Sequence, residues 1–314
     1  MSWGLMLSNC GIDIPRTPPN RQRLVDLIQR LFDCDRGYEE RKGAMSNYPF
    51  DQAWDKERSR LGGLEQGLDP GTIRHLEALG VGPGWRCWEV GAGGGSIAAW
   101  LSQRVGNDGN VLATDLETTL LERLSYPNLA VRRHDIVADG LPEGVPFDLV
   151  HARWLLHWLA DRGRALARMI AALRPGGWLL IEEPDFVTLF HGCLSETVRK
   201  VVTVVVGEIL PTTGLPEYGS EYGRRVFDDM CALGLLDVES AGRVEMMSGG
   251  SRLCTHLGLT IAKNAPHAIE SGALTTEEVE EALARLNDPT FATMSAITMA
   301  VWGRRHAGGS QRRA

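Results

Sequence analysis

Four glycines occur within five positions of the stretch CWEVGAGGGSIAAWL, residues 87–101, between a strand-like run and a helix-like run. Glycine at such a junction allows the backbone N–H groups of the turn to approach a phosphate or a nucleotide closely. More than one nucleotide-like cofactor uses a turn of this kind. The turn by itself therefore predicts the class of ligand and leaves its identity open.

Two side chains of this turn distinguish between cofactors. Glu89 places a carboxylate inside the turn, where a pyrophosphate would be repelled and an ammonium group attracted. Ser96 stands where the dinucleotide fingerprint has its third glycine or an alanine, which allows the helix to pack closely on the strand. We expect Ser96 to be the N-cap of the following helix instead. This departure weakens the interpretation as a nicotinamide site.

Acidic residues also end the next two predicted strands. Asp115 suits the free 2′ and 3′ hydroxyls of any adenosine ribose, so it fits several cofactors equally well. After the third strand, Asp135 could accept the exocyclic amine of an adenine while Ile136 packs on the face of the ring. A surface aspartate beside a core isoleucine is the alternative for this pair.

Short apolar strands alternate with helical segments from Gly84 to about residue 185. The strand-like runs are WRCWEV, NVLATD, LAVRRHD, FDLVHA and WLLIEE, and the helical runs are SIAAWLSQRV, LETTLLERL and RALARMIAALR. This alternation predicts a parallel sheet covered by helices, with ligands beyond the carboxyl ends of the strands. Upstream of it, DQAWDKERSRLGGLEQ and DPGTIRHLEALG predict two further helices.

The alternation breaks after residue 185, where inserted helices are typical of a lid or substrate pocket, before a last strand FATMSAITMAVWGRR. We expect an N-terminal extension or helix (1–44), cap helices (45–80), a ligand-binding core (81–190), and lid helices with the strands that complete the sheet (191–314). Met45 is an alternative start, so the sequence leaves open whether residues 1–44 belong to the natural chain.

The composition of the chain limits which binding partners and which cellular compartment are expected. A formal net charge of −7 argues against nucleic acid as a partner. The six cysteines are scattered without a Cys-x-x-Cys pair, which disfavours a zinc site or a disulfide framework and favours a cytoplasmic protein. No run of about 18 apolar residues predicts a membrane span. A homodimer is compatible with the sequence.

The stretch LRPGGWLLIEEPD, residues 173–185, separates the cofactor hypotheses. Together with WEVGAGGGS, ATD, RRHDIVADGLP and FDLVHAR in the same order, it resembles the motifs of class I S-adenosylmethionine-dependent methyltransferases of the small-molecule branch. The resemblance covers about residues 81–185 and extends to the final strand TMAVWGRR. It implies an α/β fold with a seven-stranded, mostly parallel, Rossmann-like sheet, helices on both faces, and an antiparallel last strand between the fifth and sixth.

The resemblance also implies S-adenosyl-L-methionine as the cofactor and assigns residues to its parts. The methionine portion falls to Glu89, Gly91, Ala92, Gly93 and Gly95; the ribose to Asp115, with Leu116 beside it; the adenine to Asp135 and Ile136; and the region near the sulfonium to His151 and Arg153. The stretch YPFDQAWDKERSRL would form a cap over the donor, with Tyr48 and Trp54 either touching it or only packing.

Methyl transfer from a sulfonium requires alignment and no metal, and a histidine suits a general base at neutral pH. His151 and His157 are the catalytic candidates, and His191 is a third histidine near the inserted helices. His157 lies three residues after Trp154 in RWLLHWLA, so a packed helical face is its alternative role. Glu182, Glu183 and Asp185 would bind a cationic acceptor or form a solvated strand end.

Two other functions stay open. An NAD-dependent oxidoreductase would also use the glycine turn and Asp115. A non-catalytic S-adenosylmethionine-binding module would keep the same fold, since fold does not determine function. The leading hypothesis is a methyltransferase that acts on a small-molecule acceptor.

Overall fold

A seven-stranded sheet lies at the centre of the chain in the computed structural model, which describes residues 54–210 and 219–306, all within one structural unit, Asn47–Ala314. The expectations for residues 1–44 and for Tyr48 lie outside the described residues. The strands, numbered in chain order, are β1 (Arg86–Val90), β2 (Asn110–Asp115), β3 (Leu129–Arg133), β4 (Phe147–Arg153), β5 (Leu173–Asp185), β6 (Leu236–Arg243), β7 (Met246–Ser248), β8 (Ala292–Met294) and β9 (Ile297–Arg304).

The strand order of the large sheet is β3-β2-β1-β4-β5-β9-β6. Strands β1 to β5 pair in parallel, whereas β9 runs antiparallel between β5 and β6. The parallel strands are apolar runs, as expected where both faces are covered; in β1, Cys87, Trp88 and Val90 are at most 2% exposed. The predicted fold class is therefore confirmed, including the position of the last strand.

Helices flank this sheet and precede it. They are α1 (Glu57–Ala78), α2 (Ser96–Val105), α3 (Arg162–Ala172), α4 (Val187–His191), α5 (Glu196–Val202), α6 (Val226–Ala232), α7 (Arg252–Glu270) and α8 (Thr276–Asn287). Helix α2 illustrates why these segments are helical and lie on the sheet. Its apolar residues recur at helical spacing and are all buried against the sheet: Ile97, Ala98, Leu101 and Val105.

Two helix predictions were wrong. The two predicted cap helices form one helix, α1, which continues through Pro70. Close packing against α7 supports this helix: the two helices are so near that a side chain at Gly63 would meet the Arg252 carbonyl. The run LETTLLERL forms only a 3₁₀ turn, Leu121–Arg123. Its β-branched pair Thr118–Thr119 disfavours a helix, and Asp115 binds the backbone of this segment instead.

The inserted helices share an apolar core with the carboxyl side of the sheet. Its buried members include Val198, Val205, Ile261 and Leu286. The predicted last strand is interrupted at Ser295, which bonds to the backbone of Glu245, so β8 pairs with β7 in a separate two-stranded sheet. A lid role for these helices stays a prediction.

No helix in the described ranges 54–210 and 219–306 is long and apolar enough to cross a membrane.

The close approach of α1 and α7 predicts opposite effects for two neighbouring glycines. Gly63→Ala should lower the free energy of unfolding by about 1–3 kcal/mol, because its Cβ would lie 2.5 Å from the Arg252 carbonyl oxygen. Gly62→Ala is the matched control; its nearest neighbour is 4.0 Å away, and it should stabilise by about 0.5–1 kcal/mol through helix propensity. Urea unfolding measures both, and equal effects of the two substitutions would contradict the packing described here.

Candidate active site

The glycine turn connects β1 to α2 at the carboxyl edge of the sheet. The backbone φ angles are +68° at Gly91, +55° at Gly93 and +89° at Gly95, in the left-handed region that favours glycine. The N–H groups of Gly91 and Ala92 donate to the Thr114 carbonyl at 2.8 and 3.0 Å. The turn is thus fixed to the end of β2 while its Gly93 stays open: the nearest atom to a Cβ there would be 3.9 Å away.

Ser96 does not cap the helix as predicted. It is the first residue of α2, and the left-handed Gly95 occupies the N-cap position. The hydroxyl of Ser96 donates instead to Asp69 Oδ1 of α1 at 2.9 Å. The prediction failed because the preceding glycine already provides the backbone geometry, which leaves the serine side chain free for a contact with the cap.

Asp115 faces the turn from the end of β2. Its Oδ2 accepts from the Gly93 N–H at 2.8 Å and its Oδ1 from the Glu117 N–H at 3.2 Å. Burial raises the pKa of Asp115, although these backbone N–H groups and that of Leu116 favour the charged form. The predicted ribose residue and the predicted glycine turn therefore lie together.

Asp135 is turned largely toward its own backbone. Its Oδ1 accepts from the Val137 and Ala138 N–H groups at 2.8 and 3.0 Å, an arrangement that shapes the turn after β3. Ile136 is 5% exposed, and its carbonyl accepts from Arg168. A contact of this pair with an adenine stays a prediction.

A buried histidine connects two buried carboxylates on three adjacent strands. His151 Nδ1 lies 2.6 Å from Glu89 Oε2, and His151 Nε2 lies 3.3 Å from Glu182 Oε2. His151 is 0% exposed, and the carboxylates are 3% and 2% exposed. Both ring nitrogens are therefore engaged, which leaves no lone pair for proton abstraction.

The charges of this group are set by its partners. Burial alone would lower the pKa of His151, but the carboxylates of Glu89 and Glu182 outweigh it and raise that pKa to about 9. Burial would raise the pKa of Glu182, but the hydrogen bond and charge of His151 lower it. His151 is thus an imidazolium at neutral pH. Glu89 Oε1 makes no hydrogen bond to any residue in the described part of the chain.

The cap helix α1 contacts the glycine turn directly. Arg58 Nη1 donates to the Gly94 carbonyl at 3.0 Å, and Glu65 Oε1 accepts from the Ser96 N–H at 3.3 Å. A side chain at Gly94 has no room, because its Cβ would lie 2.4 Å from that same Glu65 oxygen. Burial raises the pKa of Glu65, against the charge of Arg58.

Arg153 joins the same helix to the end of β4. Its guanidinium donates to Asp69 Oδ1 at 2.8 Å and to Thr72 Oγ1 at 2.9 Å. The Thr72 hydroxyl in turn donates to Glu182 Oε2. Arg153, predicted to lie near the sulfonium, is held by the cap, and its contact with a ligand stays a prediction.

Sequence reasoning missed the polar face of α1. Arg58, Glu65, Asp69 and Thr72 follow one another at spacings of seven, four and three residues, which places them on one helical face. This spacing was the available signal. The face was missed because the two predicted helices, DQAWDKERSRLGGLEQ and DPGTIRHLEALG, divide these four residues between them.

His157 is paired with Glu183 in a second buried group. The Glu183 carboxylate accepts from the backbone N–H groups of Leu155, Leu156 and His157 at 3.0, 2.7 and 3.1 Å and lies 2.9 Å from His157 Nδ1. It thereby orders the 3₁₀ turn Leu156–Trp158. Within the described residues, His157 Nε2 makes no hydrogen bond.

The acidic group lies at the end of β5 and is buried, so the expectation of a solvated strand end was wrong, whereas the binding of a cationic acceptor stays a prediction. Glu182, Glu183 and Asp185 are at most 4% exposed. Asp185 accepts from Arg224 Nε and Nη2 at 2.6 and 2.7 Å. All three carboxylates are engaged within the chain.

The predicted helical face of Trp154 and His157 does not form. Trp154 has a φ of +53°, outside any helix. The two rings still meet edge-on, with centroids 6.0 Å apart, because the turn brings them together.

His191 is exposed at the end of α4, and Trp54 packs against Lys263. No group of three or more His, Cys, Asp or Glu in residues 54–210 and 219–306 could hold a metal ion.

The His151 group predicts a pH-dependent stability. A group whose pKa is higher in the folded state stabilises the fold fully below its unfolded pKa and loses this contribution as pH rises through the folded value. The unfolding free energy should therefore fall by up to roughly 3 kcal/mol between the ordinary value of 6.5 and about 9. In His151→Gln this decrease should be absent, and at neutral pH the variant should be about 3–5 kcal/mol less stable because two buried carboxylates lose their counter-charge.

Urea unfolding across this pH range measures both quantities. His134→Gln is the control, because in the described ranges its ring hydrogen-bonds to the Gly140 carbonyl and packs on Trp88 but pairs with no carboxylate. The same decrease with pH in wild type and His151→Gln would contradict the charged assignment.

Comparison with known proteins identifies related sequences. Residues 88–181 match the family model described as "Methyltransferase domain". Methyltransferase str2 of Strobilurus tenacellus is 30% identical over 166 residues, which cover 52% of this chain and 59% of that protein. The ubiquinone/menaquinone biosynthesis C-methyltransferase UbiE of Vibrio parahaemolyticus is 27% identical over 146 residues, which cover 44% and 54%. The chain thus spans little more than half the length of these curated relatives.

A solved structure shares the fold. The YcgJ protein of Bacillus subtilis matches with a TM-score of 0.51 at 13% identity, over 76% of this chain and 100% of that one. The family match covers β1 to β5, which carry the glycine turn, Asp115 and His151. Residues 88–181 of this chain are therefore similar to a methyltransferase domain, and the chain has the same Rossmann-like fold as this neighbour.

Proposed function

We propose that this chain transfers the methyl group of S-adenosyl-L-methionine to a small-molecule acceptor. The observation that carries the proposal is the pairing of the glycine turn with Asp115, whose carboxylate accepts from the Gly93 N–H at 2.8 Å. In a methyltransferase domain this edge of the sheet is where a nucleoside fits.

The residues present fit such a donor. Glu89 has one carboxylate oxygen held by His151 and the other, Oε1, without a partner in the described chain, which suits an ammonium group. Asp115 offers acceptors for two ribose hydroxyls, and the open side of Gly93 allows close approach. Glu89 is therefore assigned to the amino group of the donor and Asp115 to its ribose.

When bound, the donor supplies a methyl group on a positively charged sulfur. Held by Glu89 and Asp115, the donor would supply its methyl carbon to the acceptor nucleophile, and the electron pair of the broken carbon–sulfur bond would stay on sulfur. The proton of a hydroxyl or ammonium acceptor passes to His157 Nε2, since Glu183 orients Nδ1 as the donor atom. The chain contributes mainly alignment.

His151 is assigned a positioning role in place of the predicted base. It is an imidazolium with carboxylates on both nitrogens. A proton acceptor needs a free lone pair, which this ring does not offer. Its function is to hold Glu89 at the turn.

The class of acceptor is inferred from the net charge and from the name of a relative. A small molecule is favoured by the net charge of −7, which disfavours nucleic acid. UbiE, by its name, methylates carbon in quinone biosynthesis, which supports a small-molecule acceptor here. A cytoplasmic location and a homodimer are further proposals, to be tested by fractionation and light scattering. The comparisons favour this function over the oxidoreductase or a non-catalytic binding module.

Asp115→Ala should weaken the binding of S-adenosylhomocysteine by about 1–3 kcal/mol, because ribose hydroxyls lose a charged acceptor. Isothermal titration calorimetry measures this. Asp108→Ala is the matched control, since Asp108 is exposed and precedes β2, at the other end of the strand from Asp115. Unchanged affinity in Asp115→Ala would remove this residue from the site, and no heat with wild type would contradict the proposed function.

His157→Gln should lower kcat about a hundredfold or more for a hydroxyl-bearing acceptor, by removing the general base. The affinity for S-adenosylhomocysteine should stay the same, because Glu89 and Asp115 are unaltered. Transfer of labelled methyl to a panel of hydroxylated aromatic compounds provides the assay, with His134→Gln as the control. A kcat equal to that of wild type would exclude His157 as the base.

A further inference from the structure

Trp154 has a left-handed backbone although it is not glycine. It directly follows β4, with a φ of +53°, and its N–H donates to the Glu182 carbonyl at 2.7 Å. Residues with bulky side chains adopt this conformation only under constraint, and such residues cluster at ligand sites. The backbone thus fixes the indole at the sheet edge where ligands of this fold bind.

The indole N–H of Trp154 is buried and has no hydrogen-bond partner among residues 54–210 and 219–306. Buried donors in native proteins are nearly always paired with protein, water or ligand, because an unpaired donor loses its bonds to water. Trp88 follows this rule; its indole N–H donates to Thr114 Oγ1 at 2.9 Å. The Trp154 donor is therefore available to an acceptor atom of a ligand.

Aromatic rings surround this donor. The Trp154 ring meets the rings of His157, Phe186 and His256 edge-on at centroid distances of 6.0, 5.8 and 6.2 Å. Phe190 extends the wall, 6.1 Å from Phe186. Rings in edge-on arrangement favour a further planar aromatic group between or beside them.

Two ionisable groups of the described chain that lie beside these rings are neutral or already engaged. His256 Nδ1 donates to the Arg60 carbonyl at 2.9 Å, and burial lowers the pKa of His256 to about 3, so the ring is neutral. Glu183, beside His157, is engaged by three backbone N–H groups. The indole N–H is a donor that pairs with an acceptor atom and repels a cation, so it favours an uncharged ligand with an acceptor oxygen.

We propose that Trp154 and the adjoining rings form the acceptor subsite, and that the acceptor is a planar aromatic molecule with an uncharged oxygen that accepts the Trp154 indole hydrogen bond. This inference rests on the proposed function and specifies its substrate class. Trp154 is then a specificity residue: it selects ring compounds that carry a hydroxyl or carbonyl oxygen at the buried position. The His157 ring adjoins this subsite, with its centroid 6.0 Å from that of Trp154, and in this proposal its Nε2 takes the hydroxyl proton.

The probe is 2-naphthol, compared with naphthalene, each titrated by calorimetry with and without S-adenosylhomocysteine. Wild type should bind 2-naphthol about five- to tenfold more tightly than naphthalene, the contribution of one buried hydrogen bond. Trp154→Phe keeps an aromatic ring without the N–H, so the preference should disappear. Trp158→Phe is the matched control, because Trp158 also packs against this core and its ring centroid lies 4.9 Å from that of His157. This control variant should retain the preference.

Equal affinity of wild type for the two probes, or a preference that persists in Trp154→Phe, would overturn the subsite. If the variant fails to fold, ¹⁵N-edited NMR of wild type decides: the assigned Trp154 indole proton should move downfield with 2-naphthol and not with naphthalene, and no movement contradicts the proposal. Wild type that binds S-adenosylhomocysteine without this preference leaves the proposed function standing. Failure to bind S-adenosylhomocysteine contradicts the proposed function instead, and the titration of naphthol alone then decides the subsite.

Discussion

The charged hydrogen bonds of His151 to Glu89 and Glu182 hold the carboxyl edge of the sheet in place. These residues lie on β4, β1 and β5, and each is almost completely buried. Burying an isolated charge is costly, and only a partner of opposite charge in good geometry offsets that cost. A slip of register in any of the three strands would break a pair, so this group both requires and maintains their alignment.

The same group extends to the cap through Thr72. The Thr72 hydroxyl connects Glu182 to Arg153, Arg153 bonds to Asp69, and Asp69 accepts from Ser96 at the start of α2. Sheet edge, cap helix and glycine turn are therefore parts of one hydrogen-bonded network. A ligand that binds at the turn meets groups already held in position, and such preorganisation lowers the cost of binding and alignment.

The sheet and the glycine turn could be predicted from the sequence because their signals are local. Apolar strands alternating with helices predict the layers, and the Arg-Pro-Gly-Gly stretch at the start of β5 supplies the resemblance that gives the strand order. The position of Asp115 beside the turn could be predicted because the residue ends a strand. These features depend on chain periodicity and on the rule that parallel strands end at one edge.

The remaining features depend on contacts between distant segments. The engagement of His151 follows from three strands becoming neighbours, and a single histidine in FDLVHAR does not reveal its two carboxylate partners. Trp154 occupies a left-handed position where a sequence rule expects glycine or asparagine. Ser96 is free to reach the cap because Gly95 takes the N-cap position. Tertiary structure overrode the local preference in each case.

A crystal structure with S-adenosylhomocysteine would test the assignment of Glu89 and Asp115 to the donor. We expect the ammonium group of the ligand to lie within hydrogen-bond distance of Glu89 Oε1 and both ribose hydroxyls to donate to Asp115, with His151 still between Glu89 and Glu182. A ligand bound away from the glycine turn, or a Glu89 carboxylate turned away from the ligand's amino group, would contradict it.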